Sequence, residues 1–264
     1  MDSNITPASR YTHRYSITAA DMNKEYRLSP HAVLLYFQDA FARFMGCLHF
    51  AAFDLAKYNK MWVITEFSMH TTPADVFWTE DIDVTIWFSE VTSLRVYSEF
   101  RVCKTDGTQI ASGYGSWTIL NIATRHLETT DCLVNLPIDP ERTTVSHRKL
   151  RFPQTDHRLV HIEHTVNYSD LDFNGHVNNR SYLNIAMQTA SNDFLARFYA
   201  DELVIHWLHE TYLNEVMDCD LYEAEPKEFI NLLRKKDGTP VAQVYSRWLP
   251  VTSTRKIDDS IERV

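Results

Sequence analysis

The stretch Asp106-Gly107-Thr108-Gln109-Ile110-Ala111-Ser112-Gly113-Tyr114-Gly115-Ser116-Trp117 returns 131 positions later as Asp237-Gly238-Thr239-Pro240-Val241-Ala242-Gln243-Val244-Tyr245-Ser246-Arg247-Trp248. The shared pattern, DGTxxAxxYxxW, is too long to be a chance turn. It reads as a tight hairpin turn running into a strand. A second echo lies upstream of each copy. Ala20-Asp21-Met22-Asn23 matches Leu171-Asp172-Phe173-Asn174 at a spacing of 151, each after a Tyr-Ser pair and before a helix-like segment. The fall in spacing from 151 to 131 makes the second copy shorter between helix and hairpin. The chain is therefore expected to hold an N-terminal repeat over 1–125, a linker over 126–158 and a C-terminal repeat over 159–264, with the recurring unit near 8–125 and 159–254.

Working outward, each unit opens with a short strand, at 11–17 and 160–168, and then a turn. In the first copy Ser29 suits an N-cap and Pro30 the first helical turn. The helix expected over 31–45 is apolar nearly all round, which means burial on most sides. Its counterpart is expected over 181–199. Strands with period-two alternation follow, WVITEFSMH, DIDVTIWFSEV, RVYSEFRVCKT and QIASGYGSWTIL. A long buried helix followed by about four antiparallel strands predicts an α+β fold, the double hotdog, in which two tandem repeats each wrap a long sheet round a central helix. An ordinary barrel or sandwich is the competing architecture, but it rarely keeps a central helix in each repeat.

Composition narrows the function. The 264 residues are 44% hydrophobic and 23% charged, which excludes a disordered chain. Six glycines and the absence of GxGxxG or GxxxxGK[ST] argue against a nucleotide-phosphate loop. A net charge of −9 argues against nucleic acid as a partner. Four cysteines without metal-ligand spacing read as free thiols in a reducing compartment, and no metal is expected. No signal-peptide core and no run of 18 apolar residues is present, which predicts a cytoplasmic protein without a membrane span. One local exception to the acidity stands out: within 142–158 of the linker Arg142, Arg148, Lys149, Arg151 and Arg158 stand against Asp156 alone.

The second copy carries Asp172-Phe173-Asn174-Gly175-His176-Val177-Asn178-Asn179 just before its helix. Asp, Asn and His at i, i+2 and i+4 of a looped segment project to one side. Such a set can activate water, move a proton and donate to an oxyanion. At the spacing of 151 the first copy keeps Asp21 and Asn23 but has Glu25 in place of His176. The Asp-x-Asn pair therefore also reads as an Asx-type turn leading to a helix, and His176 is what separates the copies.

The run LDFNGHVNNRSY resembles the DxNxHVNNxxY signature of the acyl-ACP thioesterases, and the resemblance covers most of the chain. It implies a double hotdog with Asp172, Asn174 and His176 as catalytic positions. It further implies a catalytic Glu215, from the Tyr-x-x-Glu context Tyr212-Leu213-Asn214-Glu215. Many plant members have Cys after that Glu; here Val216 stands there, so a cysteine nucleophile at that position is ruled out. In the family the N-terminal repeat supplies most of the acyl tunnel, for which Phe37, Phe41, Met45 and Trp62 are the candidates. The substrate implied is fatty acyl-ACP, hydrolysed without a cofactor. The acidic carrier is expected to dock on Arg148, Lys149, Arg151 and Arg180. An acyl-CoA thioesterase, an acyl-thioester hydratase and a non-enzymatic acyl-binding protein are the alternatives, and a homodimer is compatible with all of them.

Overall fold

A computed structural model describes residues 8–24, 27–72, 76–143, 149–153 and 157–251. The first repeat comprises β1 (Arg10–Ser16), α1 (Pro30–Cys47), α2 (Ala52–Ala56), β2 (Lys60–Thr71), β3 (Asp81–Val91), β4 (Val96–Lys104) and β5 (Gln109–Asn121). A two-residue β6 (Leu127–Glu128) folds back on β5. The second comprises β7 (Val160–Thr165), α3 (Asn179–Met187), α4 (Asn192–Arg197), β8 (Phe198–Trp207), β9 (Val216–Glu225), β10 (Glu228–Lys235) and β11 (Pro240–Pro250). The strands form one sheet in the order β1-β3-β4-β5-β2-β8-β11-β10-β9-β7, so the second half repeats the first in mirror order. The seam is an antiparallel β2–β8 pairing from Glu66↔His206 to His70↔Glu202. This is the double hotdog.

Helix α1 forms where Ser29 and Pro30 place its start, and nine of its residues are buried, among them Val33, Leu34, Phe37, Phe41 and Phe44. Close approach of helix and sheet depends on glycine at one point. A Cβ on Gly115 would sit 2.5 Å from the Phe37 ring; within the sheet, one on Gly113 would sit only 2.0 Å from the Ser68 carbonyl oxygen of the neighbouring strand β2. The two Asp-Gly turns also form as the repeat predicts. Gly107 and Gly238 take φ of 89° and 88°, while Asp106 and Asp237 accept the N–H of Thr108 and Thr239 at 2.8 and 2.9 Å.

Two expectations are corrected. The second helix does not run over 181–199: α3 stops at Met187, α4 covers only Asn192–Arg197, and Phe198 already opens β8. Thr189 Oγ1 donates to the Ala186 carbonyl at 2.7 Å, and Asn231 Nδ2 donates to that hydroxyl at 2.9 Å. Ser191 then caps α4, its Oγ accepting the N–H of Phe194 at 3.2 Å. The helix ends because side chains satisfy its last carbonyls and start a new one.

The register of the repeat is the second correction. Structurally the turns superpose at a spacing of 149, with Asp21 matching Asp170. Ser29 N–H donates to Asp21 O at 2.8 Å, as Asn178 N–H does to Asp170 O at 2.7 Å. Asn23 N–H donates to Arg27 O at 2.8 Å, and Asp172 N–H to His176 O at 2.8 Å. The counterparts of Asp172 and His176 are therefore Asn23 and Arg27. Glu25, set against His176 by the sequence spacing, lies outside the described residues. Asp170 and Asp172 stand two apart, so the short identity with Ala20–Asn23 selects the wrong aspartate. No helix among the described residues is long and apolar enough to cross a membrane.

Candidate active site

β2 pairs with β8 only from Glu66 onward, so its edge over residues 60–65 is left free on that side. A β-bulge between Ile64 and Glu66 marks the point where the strands part. The opening is a cleft of about 460 Å³. On one side lie Met61–Thr65 of β2 and Trp117 of β5; on the other are the turn before α3 and the segment Trp207–Glu210.

The turn is built around Asp172. Its Oδ1 accepts the N–H of Asn174 at 2.8 Å and of His176 at 3.3 Å, which is an Asx-type turn. Gly175 follows with φ of 79°, a conformation that favours glycine. Asn178 then caps α3, its Oδ1 accepting the Arg180 N–H at 3.0 Å. The turn is fixed to the segment after β8 by a bridge between His176 and Tyr212 and by Val177 N–H donating to Thr211 O at 2.9 Å. Behind it, Tyr182 donates to Thr211 Oγ1 at 3.0 Å, and burial pushes its phenol up to about 12.

Asp172, Asn174 and His176 thus converge on one cleft. The Asn174 amide makes only a long 3.4 Å contact with Asp172 Oδ2, which leaves its N–H groups available to a developing negative oxygen. The N–H of Arg180 at the helix start is taken by Asn178, so that donor is not available.

Glu215 is not brought to this cleft. Its carboxylate accepts the Tyr212 N–H at 2.8 Å and the Lys235 ammonium at 3.0 Å. The carboxylate beside His176 is Glu210, which the sequence reading missed: its Oε1 lies 3.4 Å from His176 Nδ1. Tyr212 donates to Glu210 Oε2 at 3.0 Å, and Arg125 of the first repeat closes on Oε1. The Tyr212 ring stands edge-on to His176 at 5.1 Å, and burial and Glu210 together raise its phenol above the usual range. No motif joins Glu210 to the turn, since it lies 34 positions beyond His176.

Of the four acyl-wall candidates, only Trp62 lines the cleft. Phe37, Phe41 and Met45 are 0–3% exposed in a closed aromatic core, with Phe41 stacked on Trp117 at 3.6 Å and Phe37 packed on Phe67 and Phe100. Their helix faces the sheet rather than the gap, which puts them one layer behind the wall.

Among the basic residues, Arg148 lies outside the described residues, while Lys149 and Arg151 are exposed and Arg180 is half-buried. Arg142 pairs with Glu90 and Arg158 with Asp220 at 3.2 Å, so part of the linker charge is spent within the fold. His161, Glu163 and Asp218 come within ligand spacing of one another on β7 and β9. Lys236 occupies that cluster, 2.7 Å from Asp218 and in contact with Glu163. The described cysteines are all free, and Cys219, pushed up to about 12 by burial, is no nucleophile.

The profile of the acyl-ACP thioesterase N-terminal domain matches residues 8–131, and that of the acyl-ACP thioesterase C-terminal domain matches 154–250. The chain belongs to the acyl-ACP thioesterase family. Among relatives of this family, the chloroplastic palmitoyl-acyl carrier protein thioesterase of Arabidopsis thaliana is 25% identical over 222 residues, which is 76% of this chain and 53% of that one. The chain spans about half the length of the curated relatives it matches. The fold is shared with an acyl-ACP thioesterase from Bacteroides thetaiotaomicron at a TM-score of 0.84 and 18% identity, over 91% of this chain and 98% of that one. It is shared equally with the 12:0-ACP thioesterase from Umbellularia californica, at 0.82 and 17%, over 92% and 98%.

Proposed function

We propose that the chain hydrolyses the thioester of a fatty acyl group carried on acyl carrier protein and releases the free fatty acid. The observation that carries this reading is the convergence of Asp172, Asn174 and His176 on a cleft whose far wall is the apolar edge of β2. The acyl group lies along Met61, Trp62 and Ile64, with its carbonyl at the turn. His176 takes a proton from a water as that oxygen attacks the carbonyl carbon. The Asn174 amide donates to the oxyanion that forms, and Asp172 keeps both residues in place. As the intermediate collapses the thiolate leaves, and His176 returns the proton to sulfur. The C-terminal repeat, 159–264, then supplies the chemistry, and the N-terminal repeat, 1–125, the acyl wall.

Docking of the acidic carrier falls to Lys149, Arg151 and Arg180, with Arg148, as long-range attraction rather than tight pairing. The family match over both repeats supports this substrate class.

The test is purified protein assayed on acyl-ACP and acyl-CoA side by side. His176→Ala should lower kcat by roughly 10²–10⁴-fold with KM little changed. Faster turnover of acyl-CoA would move the assignment to a CoA thioesterase. Water added to the acyl chain without release of fatty acid would make it a hydratase, and binding without turnover an acyl-binding protein.

A further inference from the structure

We propose that Glu210, and not Glu215, is the carboxylate that positions His176, and that Glu215 holds a turn common to both repeats. The inference rests on the hydrolytic reading of the cleft and names the residue that makes its imidazole a directed base.

The repeat supplies the control. Glu215 has a counterpart in Glu80, and the two make the same bonds one after another. Tyr212 N–H donates to Glu215 Oε2 at 2.8 Å, and Phe77 N–H donates to Glu80 Oε2 at 3.0 Å. Glu215 N–H returns to Tyr212 O at 3.1 Å, and Glu80 N–H to Phe77 O at 3.2 Å. Val166 N–H donates to Glu215 O and Ile17 N–H to Glu80 O, both at 2.9 Å. The residue before each is left-handed, Asn214 with φ of 67° and Thr79 with φ of 72°. Even the cation recurs: Lys235 Nζ lies 3.0 Å from Glu215 and Lys104 Nζ 3.6 Å from Glu80, each from the strand end before an Asp-Gly turn. The first repeat has Arg27 where the second has His176, yet it keeps this whole assembly. A glutamate that recurs without the histidine is explained by the turn.

Glu210 stands differently. Its Oε1 is 3.4 Å from His176 Nδ1, it lines the cleft that Glu215 does not reach, and both its oxygens are held, by Arg125 and by Tyr212 Oη. The first repeat has Phe77 in place of Tyr212, so the hydroxyl that anchors Glu210 is particular to the second; the counterpart of Glu210 itself, residue 75, lies outside the described residues. A carboxylate on Nδ1 selects the tautomer with the proton on that nitrogen and leaves the Nε2 lone pair for water. It also stabilises the imidazolium that forms when the proton is taken. Because Arg125 belongs to the turn after β5, the N-terminal repeat fixes the carboxylate that aims the base of the C-terminal repeat.

The experiment compares Glu210→Gln, Glu210→Asp, Glu215→Gln and Glu80→Gln in the full chain, with kcat and KM on acyl-ACP, Tm, and ¹⁵N spectra of the histidine rings. Glu210→Gln should lower kcat by about 10–10²-fold with KM nearly unchanged and move His176 away from the Nδ1–H tautomer. Glu210→Asp should recover part of both. Glu215→Gln should match Glu80→Gln, with a lower Tm, a wild-type His176 spectrum and a kcat at least about tenfold above that of Glu210→Gln. A loss of kcat at Glu215→Gln equal to that at Glu210→Gln would overturn the assignment. So would an unaltered His176 tautomer in Glu210→Gln. Should the wild-type protein release no fatty acid from any acyl thioester, the hydrolytic reading fails while the tautomer spectra still decide between the two glutamates.

Discussion

Asp172 does with a charge what Asn23 does without one. Asn23 Oδ1 accepts the Arg27 N–H at 2.9 Å, just as Asp172 Oδ1 accepts that of His176. Asp172→Asn is therefore a clean probe: the turn keeps its acceptor, and only the charge is lost. Its Tm should stay within about 2 °C of wild type, which is roughly half a kcal/mol for a chain of this size. If the charge assists proton transfer, kcat should fall by about tenfold or more; a Tm loss as large as that of Asp172→Ala would show that asparagine cannot serve the turn there. Asp172, Asn174 and His176 were legible as a candidate set because they alternate within one short run and His176 has no match at the sequence spacing in the first copy. Glu210 was not, because proximity to His176 is created by the bridge to Tyr212, and nothing in the local sequence announces it. Glu215 sits in a turn, bonded to Tyr212 N–H and Lys235, and a Tyr-x-x-Glu context marks such a turn as readily as a site.

At the scale of elements, α1 was legible to within two residues at either end, since cap, proline and apolar face all agree. The second helix was not. Phe194 and Leu195 continue an apolar pattern across the break, whereas the break itself depends on Asn231, which reaches Thr189 from another strand. The pairing of β5 with β2 gives a stability prediction. Gly113→Ala would put a methyl against the Ser68 carbonyl, and backbone cannot move aside as a side chain can. The expected cost is about 1–3 kcal/mol or more, read as a lowered denaturant midpoint. The pairing of β7 with β9 gives a pH prediction. Burial pushes Asp220 up, but hydrogen bonds from His161 at 2.8 Å and Arg234 at 2.5 Å outweigh it and hold the carboxyl below the usual range. A depressed folded value stabilises the protein above the unfolded carboxylate value near ~3.9, and that contribution is lost as pH falls through the folded one. Asp220→Asn should thus cost about 1–3 kcal/mol at pH 7, and the gap from wild type should close in strong acid. A gap that is constant with pH would mean the loss is one of packing.

For the molecule as a whole, the duplication was legible from two short echoes, and with it the double hotdog. Its register was not, because backbone hydrogen bonds set it and neighbouring aspartates disguise it. The cleft was hidden for a related reason: sequence shows that α1 is apolar, but only the sheet order shows that the gap lies at the free edge of β2, where Trp62 is. In β2 and β8 the two repeats are joined antiparallel through one seam, which gives the chain two places where a turn could meet the free edge of the opposite repeat. Only one of those turns carries Asp172 and His176; its partner carries Asn23 and Arg27. The consequence is one of stoichiometry. Two separate identical subunits joined across such a seam would present two equivalent clefts, whereas this chain should saturate with a single equivalent of a non-hydrolysable acyl thioester. Calorimetric titration should give one site per chain whatever the state of association, and a second equivalent would mean that the turn at Asn23 has kept its pocket after losing its chemistry.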